Sequence, residues 1–132
     1  MLIDASALAA YILREEGWER VRDHLVQGVS STGLVLKETL NAILMATRRR
    51  SINGQQARTC ARALMALSKS NIKLVEQEDA LDEAFSIAMR NNLTVYDAIY
   101  IALARKLRTA LLTCDERQAD SARREEVDVI EL

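Results

Sequence analysis

Apolar side chains recur at three- and four-residue intervals in six separate stretches of the chain. They are Leu8, Tyr11 and Ile12; Val21 and Leu25; Leu36, Leu40, Ile43 and Leu44; Ala57, Cys60, Ala61 and Leu64; Leu81, Ala84, Phe85 and Ala88; and Val95, Ala98, Ile99 and Ala102. That spacing puts each set on one face of a helix. Between them lie apolar or β-prone runs at residues 1–3, 28–31, 72–75, 110–113 and 127–130, too short for helices and suited to strands. Short strands alternating with helices require crossover connections, which generate a parallel sheet covered on both faces. The pattern predicts a three-layer α/β/α sandwich with a central parallel sheet of about five strands. Proline is absent, the four glycines are scattered, and no linker or repeat interrupts the pattern, so residues 1–132 are expected to form a single domain.

Turn chemistry fits this division. Gly17 follows Glu15 and Glu16 and can end the first helix; Gly54 follows Asn53 as a stop and restart between two helices. Thr94 with Asp97, and Asp115 with Gln118, have the spacing of capping boxes.

The 132 residues carry 18 Lys and Arg against 19 Asp and Glu, a net charge of -1, with one His and two Cys. A multi-histidine metal site and a four-ligand structural zinc site are therefore excluded. Near-neutral charge also argues against a protein that grips nucleic acid through a strongly basic surface. The longest uncharged run, residues 25–36, is twelve residues long and contains polar side chains and glycines. It cannot span a membrane, and no basic segment precedes the apolar start as in a secretory signal. A cytoplasmic protein is expected. Cys60 and Cys114 are far apart with no CxxC motif and fit two small, partly buried side chains.

In an open parallel sheet, strands end and crossover helices begin at the same edge, where ligands bind. Asp4 closes the first strand, Glu38 lies near the start of the helix after the second, Asp97 is in the first turn of its helix, and Asp115 follows the strand at 110–113. Element order alone thus brings four carboxylates to one edge. Taken singly, Asp4, Asp97 and Asp115 are explained as helix caps. Glu38 lies about 200° round the helix from Leu36, on the expected polar face. Taken together, four like charges on one edge repel unless a cation binds among them. Carboxylates without His or Cys suit a hard divalent ion, Mg2+ or Mn2+, which can activate water for hydrolysis of a phosphate ester.

Four segments carry a resemblance. These are Leu2-Ile3-Asp4-Ala5-Ser6-Ala7; Lys37-Glu38-Thr39-Leu40-Asn41; residues 94–104, which read Thr-Val-Tyr-Asp-Ala-Ile-Tyr-Ile-Ala-Leu-Ala; and Leu112-Thr113-Cys114-Asp115. In order and spacing they resemble the signature blocks of the PIN domain, and more narrowly those of VapC-type toxins. The resemblance implies a PIN-like fold and a metal-dependent endoribonuclease that leaves a 5′-phosphate and a 3′-hydroxyl. It also implies a type II toxin with an RNA substrate, a cognate antitoxin protein and a homodimer. It makes Asp4, Glu38, Asp97 and Asp115 the catalytic and metal-binding residues, with Mg2+ or Mn2+ as cofactor, and Ser6 and Thr113 the supporting hydroxyls. The alternatives are a catalytically idle PIN-like module that only binds a partner, and another phosphoryl-handling α/β domain, such as a receiver or a haloacid-dehalogenase-like phosphatase, the latter needing a second Asp where Ser6 stands.

Among the remaining residues, Arg48, Arg49 and Arg50 fit a helix C-terminus away from the acids, and Arg14, or a basic residue of a dimer partner, is the candidate phosphate contact. His24 lies among charged neighbours as a surface residue, and Tyr96, beside Asp97, is expected in the core. Asp120 belongs to a charged run at 115–126 that suits a solvated helix, which leaves it outside the site.

Overall fold

The computed structural model describes all 132 residues. Five strands, β1 (Leu2–Ile3), β2 (Val29–Thr32), β3 (Ile72–Val75), β4 (Leu111–Thr113) and β5 (Val129–Glu131), form one sheet in the order β3-β2-β1-β4-β5. Every pairing is parallel. The connecting helices are α1 (Ala5–Ile12), α2 (Trp18–Gln27), α3 (Leu34–Arg48), α4 (Gly54–Ser70), α5 (Leu81–Asn91), α6 (Val95–Lys106) and α7 (Glu116–Arg124), with a 3-10 turn at Glu78–Ala80. Strand order runs one way from β1 to β3 and the other way from β3 to β5. Right-handed crossovers then put α1 to α4 on one face and α5 to α7 on the other. This is the expected three-layer α/β/α sandwich.

The core lies between these layers. Leu2, Ile3, Leu111 and Leu112 in the two central strands are fully buried. So is every residue of α6 from 98 to 104, because that helix packs on β1, β4 and α5 at once. No helix is long and apolar enough to cross a membrane.

The turns depart from expectation in detail. The first helix ends at Ile12 with Arg14 in the left-handed region (φ 56°), and Gly17 (φ 86°) instead opens α2. Arg50 (φ 63°), not Gly54, stops the chain after α3; Asn53 then starts α4 with a complete capping box, accepting from the Gln56 N–H and donating its own N–H to the Gln56 side chain. Thr94 forms half a box: its hydroxyl accepts from the Asp97 N–H at 3.1 Å, and the Asp97 carboxylate does not return to the Thr94 N–H.

The face of α3 also differs. Its buried residues are Val35, Thr39, Ile43 and Ala46, whereas Leu40 and Leu44 are exposed. The helix is rotated from the expected orientation, and Glu38, next to Thr39, turns inward to a half-buried position. Tyr96 is 61% exposed, contrary to expectation, and the buried aromatic of α6 is Tyr100. His24 is half-buried on α2, and Asp120 is an exposed residue paired with Arg123.

Candidate active site

Asp4 leaves β1 in extended geometry and caps α1, its Oδ1 accepting from the Ala7 N–H at 3.0 Å. Two hydroxyls also donate to it, Ser6 to Oδ1 at 2.7 Å and Thr113 to Oδ2 at 2.5 Å. Each hydroxyl has one proton, and both are given to Asp4, so each oxygen is free to accept. Ser6 Oγ accepts from the Cys114 N–H at 2.9 Å and Thr113 Oγ1 from the Asp115 N–H at 3.0 Å. This network locks the turn after β4 to the end of β1. By lone-pair count Asp4 Oδ1 is saturated, whereas Oδ2 keeps one position open.

Glu38 accepts a 2.5 Å hydrogen bond at Oε1 from the hydroxyl of Tyr100, which is buried; Oε2 is unengaged. Asp115 caps α7 by accepting from the Gln118 N–H at 3.1 Å, and the Gln118 side chain donates to the Asp97 carbonyl at 2.9 Å, joining the first turns of α6 and α7. Asp4, Glu38, Asp97 and Asp115 therefore line one cavity of about 240 Å3 together with Ser6 and Tyr100; three alanines form its apolar side. Thr113 stands behind Asp4, fully buried and off the cavity wall.

Burial is the main reason that Asp4 is pushed up to about 6; the hydroxyls of Thr113 and Ser6 and the Ala7 N–H oppose the shift, and the charge of Asp115 adds to it. Burial likewise raises Glu38, with the Tyr100 hydroxyl opposing and Asp97 adding. Asp97 is raised by burial, then lowered by the Thr94 hydroxyl, raised by Asp115 and lowered by Arg117. The Tyr100 phenol is held well above its ordinary range, first by burial and then by its bond to Glu38. The acids feel one another, and Arg117 is the one cation among the causes of these shifts.

No three His, Cys, Asp or Glu side chains form a ready-made metal-holding group. The donor set nevertheless fits a hard cation. Mg2+ keeps most of its waters and needs only one or two direct carboxylates, and a cation relieves the mutual repulsion seen here. Asp4 Oδ2, Glu38 Oε2 and the carboxylates of Asp97 and Asp115 are the available donors.

Arg14 does not line this cavity. Its guanidinium lies 4.0 Å from the Trp18 ring centroid and 5.0 Å from that of Tyr11. Tyr100 was the residue that sequence reasoning missed. Its signal was its place three residues after Asp97, on the same helix face.

The PIN domain family matches residues 1–124, a span that takes in all four acids and both hydroxyls. The chain belongs to the PIN domain family. A PIN domain relative, ribonuclease VapC3 from Pyrobaculum aerophilum, is 31% identical over 122 residues, covering 91% of this chain and 92% of its own. Among solved structures, PAE2754 from Pyrobaculum aerophilum matches this PIN domain with a TM-score of 0.72 and 25% identity, over 91% of this chain and 82% of that one. FitAcB from Neisseria gonorrhoeae shares the fold, with a TM-score of 0.65 and 18% identity over 98% of this chain and 96% of that one.

Proposed function

We propose that this PIN domain is a metal-dependent endoribonuclease, the toxin of a type II toxin–antitoxin pair. The observation that carries the proposal is the convergence of Asp4, Glu38, Asp97 and Asp115 on one cavity. The 31% identity to a protein named a ribonuclease supports it.

Asp4, Glu38, Asp97 and Asp115 would hold one or two Mg2+ or Mn2+ ions. Bound there, such an ion acidifies a water molecule and offsets charge developing on a phosphoryl oxygen. The chain's own residues prepare that role. Ser6 and Thr113 give their protons to Asp4 and so favour its charged form against burial. Tyr100 holds Glu38, a residue of the cavity wall, through Oε1 and leaves Oε2 unengaged. Burial and the Glu38 carboxylate hold the phenol in its protonated form, so that it remains the donor in that bond. Thr94 and Gln118 hold the Asp97 backbone, leaving its carboxylate to face the cavity. Hydrolysis would leave a 5′-phosphate and a 3′-hydroxyl. A cognate antitoxin that covers the cavity, and a homodimer, belong to the same proposal.

RNA cleavage by the purified protein, freed of any partner, tests it. Cleavage is expected in Mg2+ or Mn2+, none in EDTA, and a loss of at least about a hundredfold in Asp97→Asn. Equal rates for Asp97→Asn and the parent would overturn the assignment. An idle, partner-binding PIN module would instead take up no Mg2+ at millimolar concentration in calorimetry.

A further inference from the structure

Beside the acid cavity lies a second recess of about 470 Å3, lined entirely by polar and charged residues of α7, its cap and the end of α5. Asp115 borders both, so the two adjoin. We propose that this recess holds the RNA phosphate next to the one being hydrolysed, with Arg117, Arg124 and the Ser121 hydroxyl as its contacts. The inference rests on the ribonuclease reading and deepens it.

Three observations carry it. First, Arg117 and Arg124 are seven residues apart on α7, which places them on one face. Neither forms an ion pair, although Glu116 and Asp120 border the same recess. Asp120 is instead paired with Arg123 at 3.3 Å. Second, Arg117 donates to the Asn92 carbonyl, which anchors its guanidinium, and its charge is felt by Asp97 in the acid cavity. Third, Ser121 is fully buried, borders the recess, and has no hydrogen-bond partner for its hydroxyl. A buried hydroxyl left unpaired is costly, and a phosphate oxygen supplies the missing acceptor. The N-terminal end of α7 opens on the same recess and adds its partial positive charge. Asp115, Glu116 and Asp120 are the opposing charges on the lining. Asp120 is offset by Arg123 and Asp115 is engaged in capping α7, which leaves Glu116 as the unengaged carboxylate beside the two guanidinium groups.

Binding of a fluorescent single-stranded RNA in EDTA, measured across a salt series, tests the proposal without turnover. Arg124→Ala is expected to weaken binding several-fold and to reduce the slope of log affinity against log salt by about 0.7, the value for one lost phosphate contact on a single strand. Glu116→Gln is expected to tighten binding. Ser121→Ala is expected to weaken binding while leaving the melting temperature unchanged or higher, because it removes an unpaired buried hydroxyl. With Mg2+ present, the loss in Arg124→Ala is expected in KM rather than kcat. If the parent cleaves RNA and Arg124→Ala and Ser121→Ala both keep its affinity, salt slope and KM, the inference is overturned while the ribonuclease reading stands. A parent protein that neither binds nor cleaves RNA overturns both.

Discussion

Asp4 is a carboxylic acid nearly sealed from solvent. Its folded value of about 6 lies above the ordinary 3.8, so ionising it weakens the metal-free fold. Its contribution is fully present below about pH 4 and is lost as pH rises through 6, a total of about 3 kcal/mol, with about 1 kcal/mol of that falling between pH 5 and 8. Denaturant unfolding in EDTA at these two pH values is expected to show that loss in the parent and a smaller one in Asp4→Asn. A divalent cation competes with the same proton, so cation affinity is expected to fall below about pH 6. Tyr100→Phe removes the hydroxyl that orients Glu38 and is expected to lower cation affinity or cleavage by about tenfold, in line with other residues that support ligands. At this scale the sequence was partly legible. Four acids at strand ends and helix starts could be placed on one edge from element order. Glu38 is expected on the polar face because Leu36, Leu40, Ile43 and Leu44 read as the buried one, yet α3, packed on α1 and α4, buries Val35, Thr39, Ile43 and Ala46. Close packing against neighbouring elements favours small and β-branched residues there, a preference that hydrophobicity alone does not register.

At the scale of the element, the five strands were readable because each is a short apolar run isolated between helices, and all lie within two residues of expectation. Helix ends were harder. Left-handed Arg14, Arg50, Asn92 and Arg108 occupy positions where glycine would be the usual signal. Asn92 is the usual alternative to glycine at such a helix end, whereas the three arginines carry no local signal for it. Asn53, in contrast, carries a full capping box with Gln56. Asn53→Ala is expected to cost about 1 kcal/mol of stability in urea unfolding, with an unchanged slope.

Across the whole molecule, Glu125 is the tie between the helices on one face of the sheet. Its carboxylate, 8% exposed, accepts from Arg90 at 3.1 and 2.6 Å and from Asn91 at 2.8 Å, and lies 3.5 Å from Arg105. The Arg90 bonds hold its value below the ordinary 4.5, so its contribution is present above that value and lost as pH falls through the lowered one. Glu125→Gln is expected to cost about 1 to 3 kcal/mol in thermal or urea unfolding. Its acid-side sign is opposite to that of Asp4, and together they predict a stability maximum for the metal-free protein at about pH 4. The net charge of -1 also takes on a different meaning at this scale. Four of the acids converge on one cavity, so negative charge is concentrated where a cation would reverse it. Titration of Mn2+ into the metal-free protein, followed by calorimetry and by the electron-spin signal of the free ion, tests most directly whether those four carboxylates form one cation site. Saturable binding of one or two ions in the parent, lost in Asp97→Asn, is the expected result; Mn2+ that stays free in the parent, or binds Asp97→Asn equally well, would contradict it.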